Sequence, residues 1–201
     1  MIGILRATCK IFAVSTLLIT FIAHSFAVSA NTPDNVLVVG QIAEPKSLDP
    51  ATVTAVNDFR ILMNMYDGLV RYKSGSLEVE PALAKSWEIS NGGTTYTFTL
   101  KSGIKFHDGS NFDADAVKFN FDRMLDESHP YHDTGPFPLS FFFSAIEKVE
   151  VISSDKIKFT LNAPYAPFLS NLAYPTGLIA SPEAIKKAVR ILVEILLELA
   201  L

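Results

Sequence analysis

The chain has 201 residues and one cysteine, and 17 basic residues against 21 acidic ones give a formal charge of −4. No basic run is present to neutralise phosphates, which argues against a nucleic-acid partner, and a single thiol excludes an internal disulfide framework or a cluster of thiolate metal ligands. The length suits about one domain with a buried core.

Arg6 and Lys10 precede a mostly apolar stretch from Ile11 to Phe26, which ends in the small residues Ala27, Val28, Ser29 and Ala30. This order is that of a secretory signal peptide covering residues 1–30, with cleavage after Ala30. A membrane span fits less well, because Ser15, Thr16, Thr20, His24 and Ser25 interrupt the stretch. Cys9 lies ahead of the apolar region, not after it as a lipid-bearing cysteine would, and leaves with the leader. The mature chain is then 171 residues with no cysteine and a formal charge of −6, held together by packing alone.

Val36 to Ala43 reads as a buried strand closed by Glu44 and Pro45, and Pro50 prevents a helix from following at once. Phe59, Leu62, Met63, Tyr66 and Leu69 recur at helical spacing after Asn57, with Asp67-Gly68 as the stop. The period then changes to two. Trp87 and Ile89 face Tyr96, Phe98 and Leu100 across Ser90-Asn91-Gly92-Gly93, which predicts a hairpin.

Asp113 has the position of a helix cap ahead of the stripe Val117, Phe121, Met124 and Leu125, with Asp115 favourable in the first turn. A loop rich in histidine and proline spans Glu127 to Pro138. Val149 and Val151 then pair with Ile157, Phe159 and Leu161 around Ser153-Ser154-Asp155 in a second hairpin. Pro164 and Pro167 open a short helix through Leu169, Leu172 and Ala173, and Gly177 to Ala180 reads as a short strand.

Three strings carry a resemblance: EPKSLDP, NMYDGLVRY, and EPALAKSWEISNGGTTYTFTLKSGIKFHDGSNFDADAVKFNFDRML. In order and spacing they resemble the family 5 extracytoplasmic solute-binding proteins of ABC transporters, of the dipeptide, oligopeptide and nickel type. VEVISSDKIKFTLNAPYAPFLSNLAYP extends the similarity, which runs from Val36 to about Lys187. The resemblance implies an α/β fold of the type II periplasmic-binding-protein kind with a mixed β-sheet, of which residues 31–187 are the N-terminal portion. It further implies a monomeric, non-enzymatic receptor without a cofactor. Such a receptor captures a peptide or other small solute between lobes that close about a hinge, and hands it to permease subunits in the inner membrane. Peptide backbone pairs with strand edges in this mode of recognition. Location in the periplasm follows from the leader and the absence of a lipid-bearing cysteine.

Glu44, Pro45, Leu48, Asp49, Thr52 and Thr54 are the candidate ligand-binding residues on this reading. The prolines stiffen the segment that leaves the first strand, which lowers the ordering cost of binding, and Thr52 and Thr54 offer hydroxyls to the cleft. The same stretch also fits a solvated connector in which Asp49 caps a turn.

The alternative in another class is a secreted metal-dependent hydrolase using His107, His129 or His132. Imidazole and carboxylate suit zinc or nickel, and Asp108 and Asp133 lie nearby in the sequence. The spacing argues against a metal site: His129 and His132 flank Pro130 in a loop, and no His-Glu-x-x-His helix is present. A hydrolase also needs an activated nucleophile, and there is no Gly-x-Ser-x-Gly elbow. His107-Asp108-Gly109 reads as a turn after Phe106. Phe137, Phe141, Phe142 and Phe143, with Tyr131 and Tyr165, suit either a pocket wall or the core, and Trp87 suits the core.

From Ala188 the string AVRILVEILLELAL departs from the family pattern. Arg190, Glu194 and Glu198 recur every four residues, as in an amphipathic helix. A frameshift near codon 188 is the other expectation, since codons compatible with these residues yield GTDFGRNPVGTGP in a shifted frame, close to a family element. A receptor truncated in that way is expected to bind its ligand weakly.

Overall fold

The computed structural model describes residues 35–199; the expected signal peptide, residues 1–30, lies outside them. Residues 35–40, which belong to a unit separate from residues 41–199, have no helix or strand, and Val36, Leu37, Val38 and Val39 are all exposed. The strand expected from Val36 to Ala43 is therefore not formed. An extended apolar run becomes a strand only where a neighbouring edge accepts its N–H and C=O groups, and none of the ladders includes these residues.

Within residues 41–199, helix α1 (Val56–Met65) follows a single 3₁₀ turn at Pro50–Thr52. It ends two residues before the expected Asp67-Gly68 stop, because Tyr66 is already extended and its hydroxyl donates to the Leu48 carbonyl at 2.9 Å. Strands β1 (Val70–Tyr72) and β2 (Val79–Pro81) form a small antiparallel pair. Strands β3 (Ala84–Ser90) and β4 (Thr95–Leu100) then make the first predicted hairpin, with Trp87 opposite Phe98 and Ile89 opposite Tyr96. Its turn carries positive φ at Asn91, Gly92 and Gly93; the two glycines adopt it without a Cβ penalty, and asparagine is among the few other residues that tolerate it.

Helix α2 (Ala114–Leu125) starts where Asp113 accepts from the Ala116 N–H at 2.9 Å, the expected cap. The second predicted hairpin is β5 (Ile146–Ser153) with β6 (Lys156–Leu161), in which Val149 faces Phe159 and Val151 faces Ile157. β6 inserts beside β4, so the sheet order is β3-β4-β6-β5. Every ladder among the described residues is antiparallel. The parallel pairs that a mixed sheet requires are thus not found in this part of the fold. The short turns after β3 and β5 allow only antiparallel return, and β6 meets β4 antiparallel as well.

One face of the sheet packs on α2 and on the short helix α3 (Phe168–Leu172). Phe98, Phe121, Phe143, Phe159 and Phe168 are fully buried there, with Phe159 contacting three of the other rings at centroid distances of 5.0–5.7 Å. Edge-to-face pairs of this kind add to what burial alone contributes. Phe143 is core, whereas Phe141 is largely exposed and Phe137 and Phe142 lie at the margin with Trp87 and Tyr165. A second cluster joins Val53, Phe59 and Leu62 to Tyr66, Leu139, Tyr174 and Leu178.

Gly177 to Ala180 is not a strand. Residues Pro175–Gly177 make a 3₁₀ turn, Leu178 forms one isolated bridge with Gly68, and the Ile179 N–H donates to the Asp67 carbonyl. The backbone packs closely here: a Cβ on Gly68 would lie 3.0 Å from the Leu172 carbonyl oxygen. Helix α4 (Pro182–Leu199) closes the described chain, and the part of the sequence after Lys187 that was expected to depart from the family pattern continues the same helix as far as Leu199. Among the described residues no helix is long and apolar enough to cross a membrane.

Candidate functional site

A cavity of about 1160 Å³ among the described residues is walled by several segments. Leu48 and Asp49 form one, and the end of α1 with Tyr66 and Asp67 forms the next. Ile104 to Asp108 with Phe112, then Pro130, Tyr131, Asp133, Thr134 and Gly135, contribute two loops. Ile179 to Ser181 and the first turns of α4, including Ile185 and Val189, complete it. The lining is mostly apolar with a few polar groups, the usual make-up of a small-molecule site.

Asp49 sits at the centre of the local order. Its Oδ1 accepts from the Ala51 N–H at 3.0 Å, which caps the Pro50–Thr52 turn, and its backbone carbonyl accepts from the Thr52 hydroxyl. Arg123 of α2 reaches it with both guanidinium nitrogens, Nη1 to Oδ2 at 2.5 Å and Nη2 to Oδ1 at 3.1 Å. The Arg123 side chain is fully buried, and among the described residues its guanidinium is paired with this carboxylate, bonded to the Thr134 hydroxyl at 3.0 Å and stacked over the Phe137 ring at 5.2 Å. Arg123 Nε finds no hydrogen-bond partner among the described residues. Burial, reinforced by the charge of Asp49, raises the Tyr66 phenol above its ordinary range.

At the opposite side Asp108 Oδ1 accepts from the Ser110 hydroxyl and N–H, and its Oδ2 accepts from the Ser181 hydroxyl at 2.5 Å. These bonds, the Ser110 hydroxyl first, hold the Asp108 carboxyl below its usual range. The Gly109 N–H bonds back to the Phe106 carbonyl, so His107-Asp108-Gly109 is the turn expected from sequence.

Of the six candidate ligand residues, Leu48 and Asp49 line the cavity. Glu44, Pro45, Thr52 and Thr54 are not among its lining residues. Glu44 is exposed and its carbonyl accepts from the Asn57 side chain, Thr52 is turned to Asp49, and Thr54 is exposed. His107, Asp108 and Asp133 also line the cavity. His129 and His132 are engaged elsewhere: His129 Nδ1 accepts from the Tyr131 N–H, and the His132 ring nitrogen lies 3.0 Å from the Arg123 carbonyl. Burial pushes the His129 imidazole below its ordinary range. Among the described residues no group of three or more His, Cys, Asp or Glu side chains is arranged to hold a metal ion.

Arg123, Tyr66 and Ser181 were not foreseen. A signal for Arg123 did exist, because it falls with Ala116, Asn120 and Met124 on the face of α2 that the apolar stripe turns inward, where an unpaired charge is costly.

Residues 78–190 match the model for bacterial extracellular solute-binding proteins, family 5 Middle. The chain belongs to this family of extracellular solute-binding proteins. It is 40% identical over 181 residues to di/tripeptide-binding protein 2 of Pseudomonas aeruginosa, covering 84% of this chain and 34% of that protein. With the probable D,D-dipeptide-binding periplasmic protein DdpA of Escherichia coli it shares 38% identity over 177 residues, 86% of this chain and 33% of the other. The periplasmic binding protein DppA of Helicobacter pylori, solved in complex with the peptide STSA, superposes with a TM-score of 0.66 at 35% identity. That match covers 74% of this chain and 31% of the H. pylori chain. The chain thus spans about a third of the length of the curated relatives it matches.

Proposed function

We propose that the chain is a periplasmic solute-binding component of an ABC transporter for peptide uptake, exported by the leader in residues 1–30 and working with permease subunits in the inner membrane. The observation that carries this reading is the coincidence of family and site: a chain of a solute-binding family has, beside its EPKSLDP segment, an apolar cavity large enough for a short peptide. The names of the relatives, which bind dipeptides and tripeptides, support the choice of peptide as solute. Leu48 and Asp49 are the contacts nearest the ligand, with Glu44, Pro45, Thr52 and Thr54 on the same segment. The role is capture and presentation, with no chemical step on the ligand.

Thermal unfolding of the purified chain with a panel of dipeptides and tripeptides tests the reading. A ligand present at a hundred times its dissociation constant stabilises the folded state by about 2.7 kcal/mol. A panel in which no peptide shifts the transition, while a non-peptide solute does, overturns peptide as the solute class.

A further inference from the structure

We propose that Arg123 is a positioning residue for the cavity: one buried guanidinium sets two of its walls together, the Leu48–Asp49 bend and the Tyr131–Gly135 loop. The inference rests on the reading of this cavity as the solute site.

The hydrogen-bond directions leave little freedom. Thr134 Oγ1 donates to the Tyr131 carbonyl at 2.7 Å, so toward Arg123 it acts as acceptor, at 3.0 Å from Nη1. Asp49 accepts from both guanidinium nitrogens and from the Ala51 N–H. A continuous chain therefore runs from the Ala51 amide through Asp49, Arg123 and Thr134 to the Tyr131 backbone. The two residues it joins to Arg123, Asp49 and Thr134, lie 74 and 11 residues away in sequence. The His132 ring contacts the Arg123 carbonyl, so the loop is held to the same residue at two points, and the guanidinium lies over Phe137 just beyond it. Tyr66 ties the other wall, through Leu48, to the end of α1.

A planar fork is needed for this arrangement. Nη1 serves Asp49 and Thr134 at once while Nη2 serves Asp49, and a lysine ammonium of similar reach cannot fix the plane of a carboxylate in the same way. A residue present only for stability would leave the two walls independent of each other, each responding to loss of its own bond.

Hydrogen exchange read by mass spectrometry on the full chain separates the two cases, using D49N, T134V and R123K. D49N is expected to speed exchange at least five-fold in residues 131–135, and T134V to speed it at Ala51 and Thr52. β4 and β6 keep their wild-type rates in both, and R123K loosens both walls. If D49N and T134V each loosen only their own segment, or if exchange rises equally in the sheet, the proposal is overturned. T134V removes one neutral bond and keeps the test available should an Arg123 variant fail to fold.

Alanyl-alanine binding by calorimetry on the same proteins supplies the functional arm. R123K is expected to weaken it at least ten-fold at a temperature where exchange of the sheet is unchanged. Coupled walls in a wild-type protein that binds a non-peptide solute but no dipeptide or tripeptide would refute the peptide reading and leave the positioning role intact. Dipeptide binding that is equal in wild type and R123K would refute the positioning role and leave the peptide reading intact.

Discussion

Asn120 and Ala180 bond to each other in both directions: the Asn120 Nδ2 donates to the Ala180 carbonyl at 2.8 Å and its Oδ1 accepts from the Ala180 N–H at 3.1 Å. Both residues are buried. The side-chain amide thus takes the place of a neighbouring strand for a segment that pairs only once, at Leu178, and fastens the Ile179–Ser181 wall of the cavity to α2. Replacing Asn120 with Ala leaves a buried donor and a buried acceptor unmet, each costing about 1–3 kcal/mol. The expected outcome for N120A is a loss of about 2–4 kcal/mol in urea unfolding, as a lower midpoint with an unchanged slope. A loss under about 0.5 kcal/mol would mean that these groups find other partners.

Gly177 and Gly75 give opposite tests of why glycine is needed. A Cβ on Gly177 would lie 2.7 Å from the Leu172 carbonyl oxygen, a backbone atom that cannot turn aside, whereas one on Gly75 meets nothing within 4 Å. Gly75 instead has φ of +69°, a conformation that asparagine tolerates. G177A is expected to lose about 1–3 kcal/mol by overpacking the α3 turn, and G75N to stay within about 1 kcal/mol of wild type. Thermal melts of the two variants check this, and equal melting temperatures would contradict the packing argument.

The two hairpins were legible because alternation fixes facing residues locally: Trp87 and Ile89 need only the turn after Ser90 to find Phe98 and Tyr96. The α2 cap was legible for the same reason, since Asp113 and Ala116 are neighbours. Val36–Val39 shows the limit of such patterns, because β-branched residues state a preference for strand but a ladder requires an edge far away in sequence. Of the six residues expected to bind ligand only Leu48 and Asp49 line the cavity, while His107, Asp108, Tyr131 and Asp133, singled out for other roles, line it too. Its other determinants are pairs such as Arg123 with Asp49, or Ser181 with Asp108 73 residues away, and no local period reports on them.

Glu150 predicts a measurable acid titration. Hydrogen bonds from Lys148 at 2.7 Å and Lys158 at 2.8 Å hold its carboxyl down at about 2, from an ordinary value of 4.5. The folded value is depressed, so the contribution to stability is complete above 4.5 and disappears as pH falls through about 2. The site is at the surface, and the effect on stability is small and screened by salt. Carbon-detected NMR titration is expected to show Glu150 protonating well below the other glutamates, and 1 M salt to move it upward. A midpoint at the ordinary value in low salt would show that neither lysine holds it.

Ser181 joins the two sides of the cavity mouth through one hydroxyl. Its Oγ accepts from the Ala184 N–H at 3.2 Å, capping α4 ahead of Pro182, and donates to Asp108 at 2.5 Å. S181A removes both bonds, so two readouts should move together. Loss of the cap is expected to cost about 0.5–2 kcal/mol in unfolding. The Asp108 carboxyl, losing its second-largest source of depression, should titrate at a higher pH while remaining below the usual range through Ser110. Because the folded value is depressed, the Asp108 contribution in wild type is present above the ordinary carboxylate range and is lost on acidification below it. S181T retains a hydroxyl and is expected to recover most of both effects. If S181A lowers stability while Asp108 titrates as in wild type, the serine acts on the helix alone and the link across the mouth is carried by Ser110, whose Oγ lies 3.2 Å from that of Ser181.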